Sequence, residues 1–292
     1  MKVYNLPHGA FTDKSIDDAS ILIQPFTATK RTLKEKAILD RNAISLVISG
    51  QKTMCFAEKT VYANDKEIHF LSAGHCVASV DITTQAAFKS ILIYFNDTEL
   101  ADFFHANADF IEKAKRGLRV GSSAYVAFEK DAFIHHYIDS IQLILKNGGD
   151  CSLPMRRIKF QELLLYLLES HTRQFLTFQN RGQVSSLELT IRKVVESNLL
   201  NNLTVEEMAF LCNQSASTFK RQFKKIYSAS PNSWLLARRM ELAAQLLTKK
   251  KEKPAEIWLK LGFETHSGFT KSFKKHFGVA PKDYKSKLTF QD

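Results

Sequence analysis

Between Ala43 and about Phe95 the apolar residues fall in short runs rich in β-branched and aromatic types, AISLVISG, KTMCFA, EIHFLSAGHC and FKSILIYF, with turn-prone AND, SAG and FND between them. Strands of this length and spacing predict an antiparallel sandwich or barrel. From Tyr125 onward the period changes: Phe133 or Ile134, Tyr137, Ile138, Ile141, Ile144 and Leu145 recur at helical spacing up to Gly148-Gly149. A second helix is expected from Pro154 through Ile158, Leu163, Leu164, Leu167 and Leu168. A stripe of period 3.6 does not say what it faces, so these helices either pack onto the sheet or pair two chains. Residues 1–170 therefore read as one domain, β-rich over 20–100 and helical over 123–170. Residues 171–184 lack a sustained period and contain Arg181-Gly182-Gln183, which predicts a linker.

Beyond the linker the pattern is wholly helical. Ser185-x-x-Glu188 and Thr204-x-x-Glu207 are capping-box signatures, and Ser215 starts a helix with Phe219 and Phe223 inward and Lys220, Arg221, Lys224 and Lys225 on its other faces. Two short helices, the second basic, joined by a tight turn predict a helix-turn-helix. SASTFKRQFKKIYSASPNSW from Ser215 then recurs 50 residues later as THSGFTKSFKKHFGVAPKDY from Thr265. Ser217, Phe219, Phe223, Lys224-Lys225 and Pro231 match Ser267, Phe269, Phe273, Lys274-Lys275 and Pro281, Arg221 answers to Lys271, and Tyr227 and Trp234 fall on Phe277 and Tyr284. Two copies of one supersecondary unit explain such a match. Pro254 opens the second copy's first helix, Gly262-Phe263 makes its turn, and a longer helix from Ser230-Pro231 to Leu247 joins the copies.

Charge sharpens this division. The chain has 292 residues and a net charge of +11; residues 1–184 hold 22 Lys and Arg against 20 Asp and Glu, residues 185–292 hold 19 against 10. A basic domain behind a nearly neutral one suggests a polyanion-binding module attached to something else. No run approaches the roughly 20 apolar residues that cross a bilayer and the N-terminus has no apolar signal core, so a cytosolic protein without a membrane partner is expected. Cys55, Cys76, Cys151 and Cys212 form no C-x-x-C pair, which fits reduced, buried thiols.

Residues 185–287 closely resemble the DNA-binding domain of the AraC/XylS family, marked by the pattern Gly262-Phe263-x-x-x-Ser267-x-Phe269-x-Lys271-x-Phe273-Lys274-Lys275-x-Phe277-Gly278-x-x-Pro281-x-x-Tyr284. Lys271 and Lys285 stand where the family usually has Arg, and Gly268 where an aromatic residue is common. The resemblance implies an α+β chain: an N-terminal cupin-like β-barrel or sandwich with following helices, then an all-α domain of two helix-turn-helix units joined by a helix over 185–292. It implies a bacterial transcription regulator, most often an activator, with double-stranded DNA and RNA polymerase as partners, a small-molecule or protein effector acting on residues 1–170, and a homodimer built on the helices there. Carried over by position, the base-edge candidates are Ser217, Lys220 and Arg221 on the first recognition helix, about 215–227, and His266, Ser267, Thr270 and Lys271 on the second, about 266–277. Arg221 leads because Arg pairs with guanine O6 and N7 in the major groove, though phosphate is its alternative target. Lys224, Lys225, Lys274 and Lys275 suit phosphates.

Rival readings are a metal-dependent cupin enzyme fused to a DNA-binding domain and an architectural DNA binder. His69, His75 and Cys76 lie on neighbouring strand-like segments, but the cupin H-x-H pair is missing, and His135-His136 on a helix point about 100° apart. No metal, cofactor or catalytic residue is therefore expected. A repair methyltransferase with this DNA-binding domain needs an activated cysteine, whereas Cys212 falls at a core position of the first turn.

Overall fold

In this computed structural model, residues 3–7, 20–81, 87–116, 121, 123–146, 151–178, 187–248 and 252–284 are described. The chain divides into two units, Met1–Val184 and Ser185–Asp292.

The first unit is built on strands β1 (Val3–Leu6), β2 (Ile21–Ala28), β3 (Thr32–Leu39), β4 (Asn42–Ser49), β5 (Gln51–Cys55), β6 (Thr60–Ala63), β7 (Glu67–Leu71), β8 (Gly74–Asp81), β9 (Phe88–Phe95) and β10 (Tyr125–Glu129). They form two sheets, ordered β1-β3-β8-β5-β6 and β10-β7-β4-β9-β2; the pairs are antiparallel except β1 with β3. The expected sandwich is present, and β4 shows why its sequence is apolar without alternating. Ala43 and Val47 join the core that also holds Met54, Val61, Ala78 and Val80 of the facing sheet. Ile44 and Leu46, on the opposite face, join a second core with the helices. A sheet covered on both sides needs apolar residues on both.

That second core settles what the helical stripes face. α1 (Asp97–Ala106), α3 (Ala132–Lys146), α4 (Leu153–Ser170) and α5 (Thr172–Leu176) place Phe103, Ile134, Tyr137, Phe160, Leu164 and Phe175 against the second sheet, while α2 (Ala108–Lys115) adds Ile111. Phe70 of β7 packs edge-on against Phe128, Phe175 and Phe178 at centroid distances of 5.5, 6.0 and 5.4 Å, a preferred aromatic geometry. Two expectations change. Residues 125–129, expected within the helical stretch, form edge strand β10, because Tyr125 to Leu71 through Glu129 to Glu67 is a register that only the neighbouring β7 supplies. Residues 171–178, expected in the linker, include α5 and bury Phe175, Leu176 and Phe178; three core side chains in eight residues are too few to show a period. Residues 179–184, Gly148-Gly149 and the Ser185 capping position lie outside the described residues.

The second unit contains α6 (Leu187–Ser197), α7 (Val205–Leu211), α8 (Ala216–Tyr227), α9 (Pro231–Thr248), α10 (Pro254–Lys260) and α11 (His266–Phe277). Met240, Ala243 and Leu247 of α9 share a core with Ile257, Leu261, Phe269 and Phe273.

Candidate nucleic-acid interface

The expected capping box closes the start of α7: Thr204 Oγ1 accepts from the Glu207 amide at 3.1 Å and Glu207 Oε2 from the Thr204 amide at 2.8 Å. α7 and α10 then end in the same way. The amides of Asn213 and Gln214 donate to the carbonyls of Phe210 and Ala209, and those of Gly262 and Phe263 to Leu259 and Trp258. Each is a Schellman turn with a left-handed residue, Asn213 at φ 54° and Gly262 at φ 72°. One residue, Gln214, separates the first turn from N-cap Ser215; two, Phe263 and Glu264, separate the second from N-cap Thr265. The repeat offset is thus 49 residues before the turn and 50 after it.

Past the turns the copies agree closely. Ser215 Oγ accepts from the Thr218 amide at 3.2 Å and Thr265 Oγ1 from the Gly268 amide at 3.1 Å. Phe219, Phe223, Phe269 and Phe273 are fully buried. Behind them, Phe223, Tyr227 and Trp234 form a ring cluster with neighbouring centroids 4.5 Å apart, and Phe273, Phe277 and Tyr284 repeat it at 4.7 and 4.8 Å. The Phe223–Trp234 and Phe273–Tyr284 pairs are both edge-on.

With the phenylalanines inward, the faces roughly 200° round each helix are left to solvent. On α8 these carry Ser217, Lys220, Arg221, Lys224 and Lys225, and on α11 His266, Ser267, Lys271, Lys274 and Lys275, all exposed. Neither α8 nor α11 contains an Asp or Glu, so cation and helix N-terminus act in the same sense toward a phosphate chain. Lys220 also meets Glu206 of α7 at 3.5 Å, an exposed pair that DNA would displace at little cost. Thr270 differs from the others: it is half-buried and its Oγ1 is enclosed with no hydrogen-bond partner among the described residues. Sequence reasoning missed Arg239 of α9, which donates from Nε to the Leu199 carbonyl at 3.0 Å; an Arg inside a helical pattern gives no sign of a distant backbone acceptor.

The metal candidates of the first unit do not converge. His69 lies on β7 and His75 and Cys76 on β8, strands of different sheets, and Cys76 shares the inward face of Ala78 and Val80 while His75 takes the other. Among the described residues no group of three or more His, Cys, Asp or Glu is placed to hold a metal ion. Burial pushes the Cys212 thiol up to about 12 and Cys76 to about 11, the reverse of what an activated nucleophile needs. No helix of the described residues is long and apolar enough to cross a membrane.

Paired helix-turn-helix units with basic, carboxylate-free second helices, behind a β-sandwich unit, define a two-domain DNA-binding regulator. Residues 208–287 match the family described as a helix-turn-helix domain, and residues 42–178 match the ExsA N-terminal regulatory domain. The chain is 23% identical to the virulence regulon transcriptional activator VirF of Yersinia enterocolitica over 82% of this chain and 88% of that one. It is 29% identical to the HTH-type transcriptional regulator ExsA of Pseudomonas aeruginosa over 42% of this chain and 45% of that one. ToxT of Vibrio cholerae covers 91% of this chain and 98% of its own at a TM-score of 0.40 and 13% identity, too slight a likeness to carry weight. The chain resembles AraC/XylS-family regulators and is an α+β DNA-binding transcription regulator with a C-terminal double helix-turn-helix.

Proposed function

We propose that this chain activates transcription in the bacterial cytoplasm by laying α8 and α11 in successive major-groove turns on one face of its operator. The observation that carries it is the repeated exposed face: Ser217 and Arg221 on α8 stand where Ser267 and Lys271 stand on α11, each set above its own buried pair, Phe219 and Phe223 or Phe269 and Phe273. These four, with Lys220 and His266, read base edges, and Arg221 reads a guanine. Lys224, Lys225, Lys274 and Lys275 neutralise phosphates and fix register. Thr270, with its hydroxyl inward, contributes packing rather than readout. Activation, by contact with RNA polymerase, is favoured by the VirF relative, an activator by name.

Control belongs to the first unit, from a small-molecule or protein effector. Its interior keeps His69 Nε2 buried and unpartnered among the described residues, a polar atom available to a ligand group. A homodimer is favoured by the outer side of α4, where Met155, Ile158 and Leu165 remain exposed after the opposite side has packed on the sheet. The test is selection of random duplex DNA by the full-length protein at ~0.15 M salt, where non-specific counterion-driven binding is weak. Two short boxes about one helical turn apart are expected. Arg221→Ala should cost about 1–3 kcal/mol and relax preference at one guanine of the first box; selection of unordered sequence by both proteins sinks the reading.

A further inference from the structure

α9 serves both helix-turn-helix units. Its first turn gives Trp234 to the ring cluster of the first unit, and Met240, Ala243 and Leu247 belong to the core of the second. Arg239 sits at the changeover. Its Nε donates to the Leu199 carbonyl at 3.0 Å and its Nη1 reaches Asn202 Oδ1 at 3.4 Å, both in the segment between α6 and α7. That segment is anchored from below, where buried Asn198 donates to the Val194 carbonyl at 2.9 Å and accepts from Asn201 Nδ2 at 2.9 Å. It also meets the second helix-turn-helix. A methyl group on Gly262 would lie 3.3 Å from Asn202 Cβ and 3.4 Å from the Leu200 carbonyl oxygen, so the turn between α10 and α11 lies directly against it. Gly262 and Asn202, at φ 72° and 50°, are both left-handed, which lets the two backbones approach.

A single 18-residue helix, about 27 Å long, sets a distance between two units but is one line of attachment. The segment from Leu199 to Asn202 adds a second, off that axis, with Arg239 as its bolt. The guanidinium is half-buried and its acceptors are a backbone carbonyl and an amide oxygen, an arrangement suited to holding a chain segment and not to meeting phosphates from the surface. We infer that Arg239 is a positioning residue for DNA recognition: with the Leu199–Asn202 segment and Gly262 it holds the two recognition helices in one mutual orientation, and so sets which separation of two boxes the chain accepts. The inference rests on the two-box reading above.

The probes are the duplex enriched by the wild-type full-length protein, the same duplex with two base pairs inserted between its boxes, and one with the second box scrambled. Rigid linkage makes the second contact nearly free of ordering cost, so the insertion should weaken wild-type binding by about tenfold or more. Arg239→Ala should lose about tenfold on the enriched duplex, stay within about twofold of wild type on the one-box probe, and lose less than about threefold on insertion. Arg239→Lys, which keeps one donor, should recover part of the spacing preference. Asn202→Gly keeps the left-handed backbone, removes the Oδ1 acceptor and should shift the same way, which covers the case in which Arg239→Ala does not fold by circular dichroism. Equal losses on the one-box and two-box probes with a shallower salt dependence would make Arg239 a phosphate contact and overturn the inference. So would an unchanged spacing preference in both variants. A wild-type protein indifferent to the insertion would instead overturn the two-box reading itself, and the inference with it.

Discussion

At the scale of single residues, burial decides which polar groups are free to act. Ser217 and Ser267 are exposed at the starts of their helices, while Thr270, also polar and also on α11, turns its hydroxyl inward. Sequence position alone ranked them together. The same effect controls titration in the first unit. His69 is fully buried, its Nδ1 lies 2.6 Å from the Tyr125 hydroxyl, and burial, reinforced by nearby Lys130, brings its pKa down to about 4. The unfolded chain takes up this proton near pH 6.5 and the folded one only near 4, so stability is full above 6.5 and falls as pH drops through that window, by up to about 3 kcal/mol. Full-length protein melted by denaturant between pH 7 and pH 4 should show this loss, and His69→Gln should flatten it; identical slopes would mean that His69 is protonated in the fold.

Elements here are defined by their ends. α7 has seven residues, too short to persist by helix propensity, and is held by a capping box at one end and a Schellman turn at the other. Thr204→Ala removes the acceptor for the Glu207 amide and should cost about 1 kcal/mol in denaturant unfolding of the second unit. A cost below a few tenths would show the cap to be redundant with tertiary packing. The capping box was legible because Thr-x-x-Glu is a local device. So were the helices above the phenylalanines, and the sandwich strands, which alternate or run apolar at strand length. The extra residue in the second turn was not legible, since an alignment of the repeat from Ser215 onward begins after the point where the offset changes. Nor was α5, whose short helix forms because Phe175, Leu176 and Phe178 fill space between the second sheet and α4.

For the whole molecule, the uneven charge matters most. The excess of nine positive charges in residues 185–292 gives any binding to duplex DNA a steep salt dependence. Replacing Lys274 and Lys275 together by Ala should lower the slope of log K against log salt by about 2, with the ranking of operator sequences unchanged. A changed ranking would place one of them on a base edge. The first unit, nearly neutral, should add little to that slope, so the full-length protein should keep the slope set by residues 185–292.

The sequence by itself determined the two-domain division, the sandwich class, the paired helix-turn-helix units and the basic faces of their second helices. All of these rest on local periodicity, capping and repetition, which a chain carries in its own order. Only the tertiary structure decided that the helices after the sandwich cover one of its sheets, that His69 and Cys76 lie in different sheets, that Thr270 faces inward, and that Arg239 of α9 bonds to the segment before α7, against which the turn after α10 packs. Each of these depends on contacts between residues far apart in the chain, where the deciding quantity is which groups share a dry interior, and no spacing along the sequence encodes it.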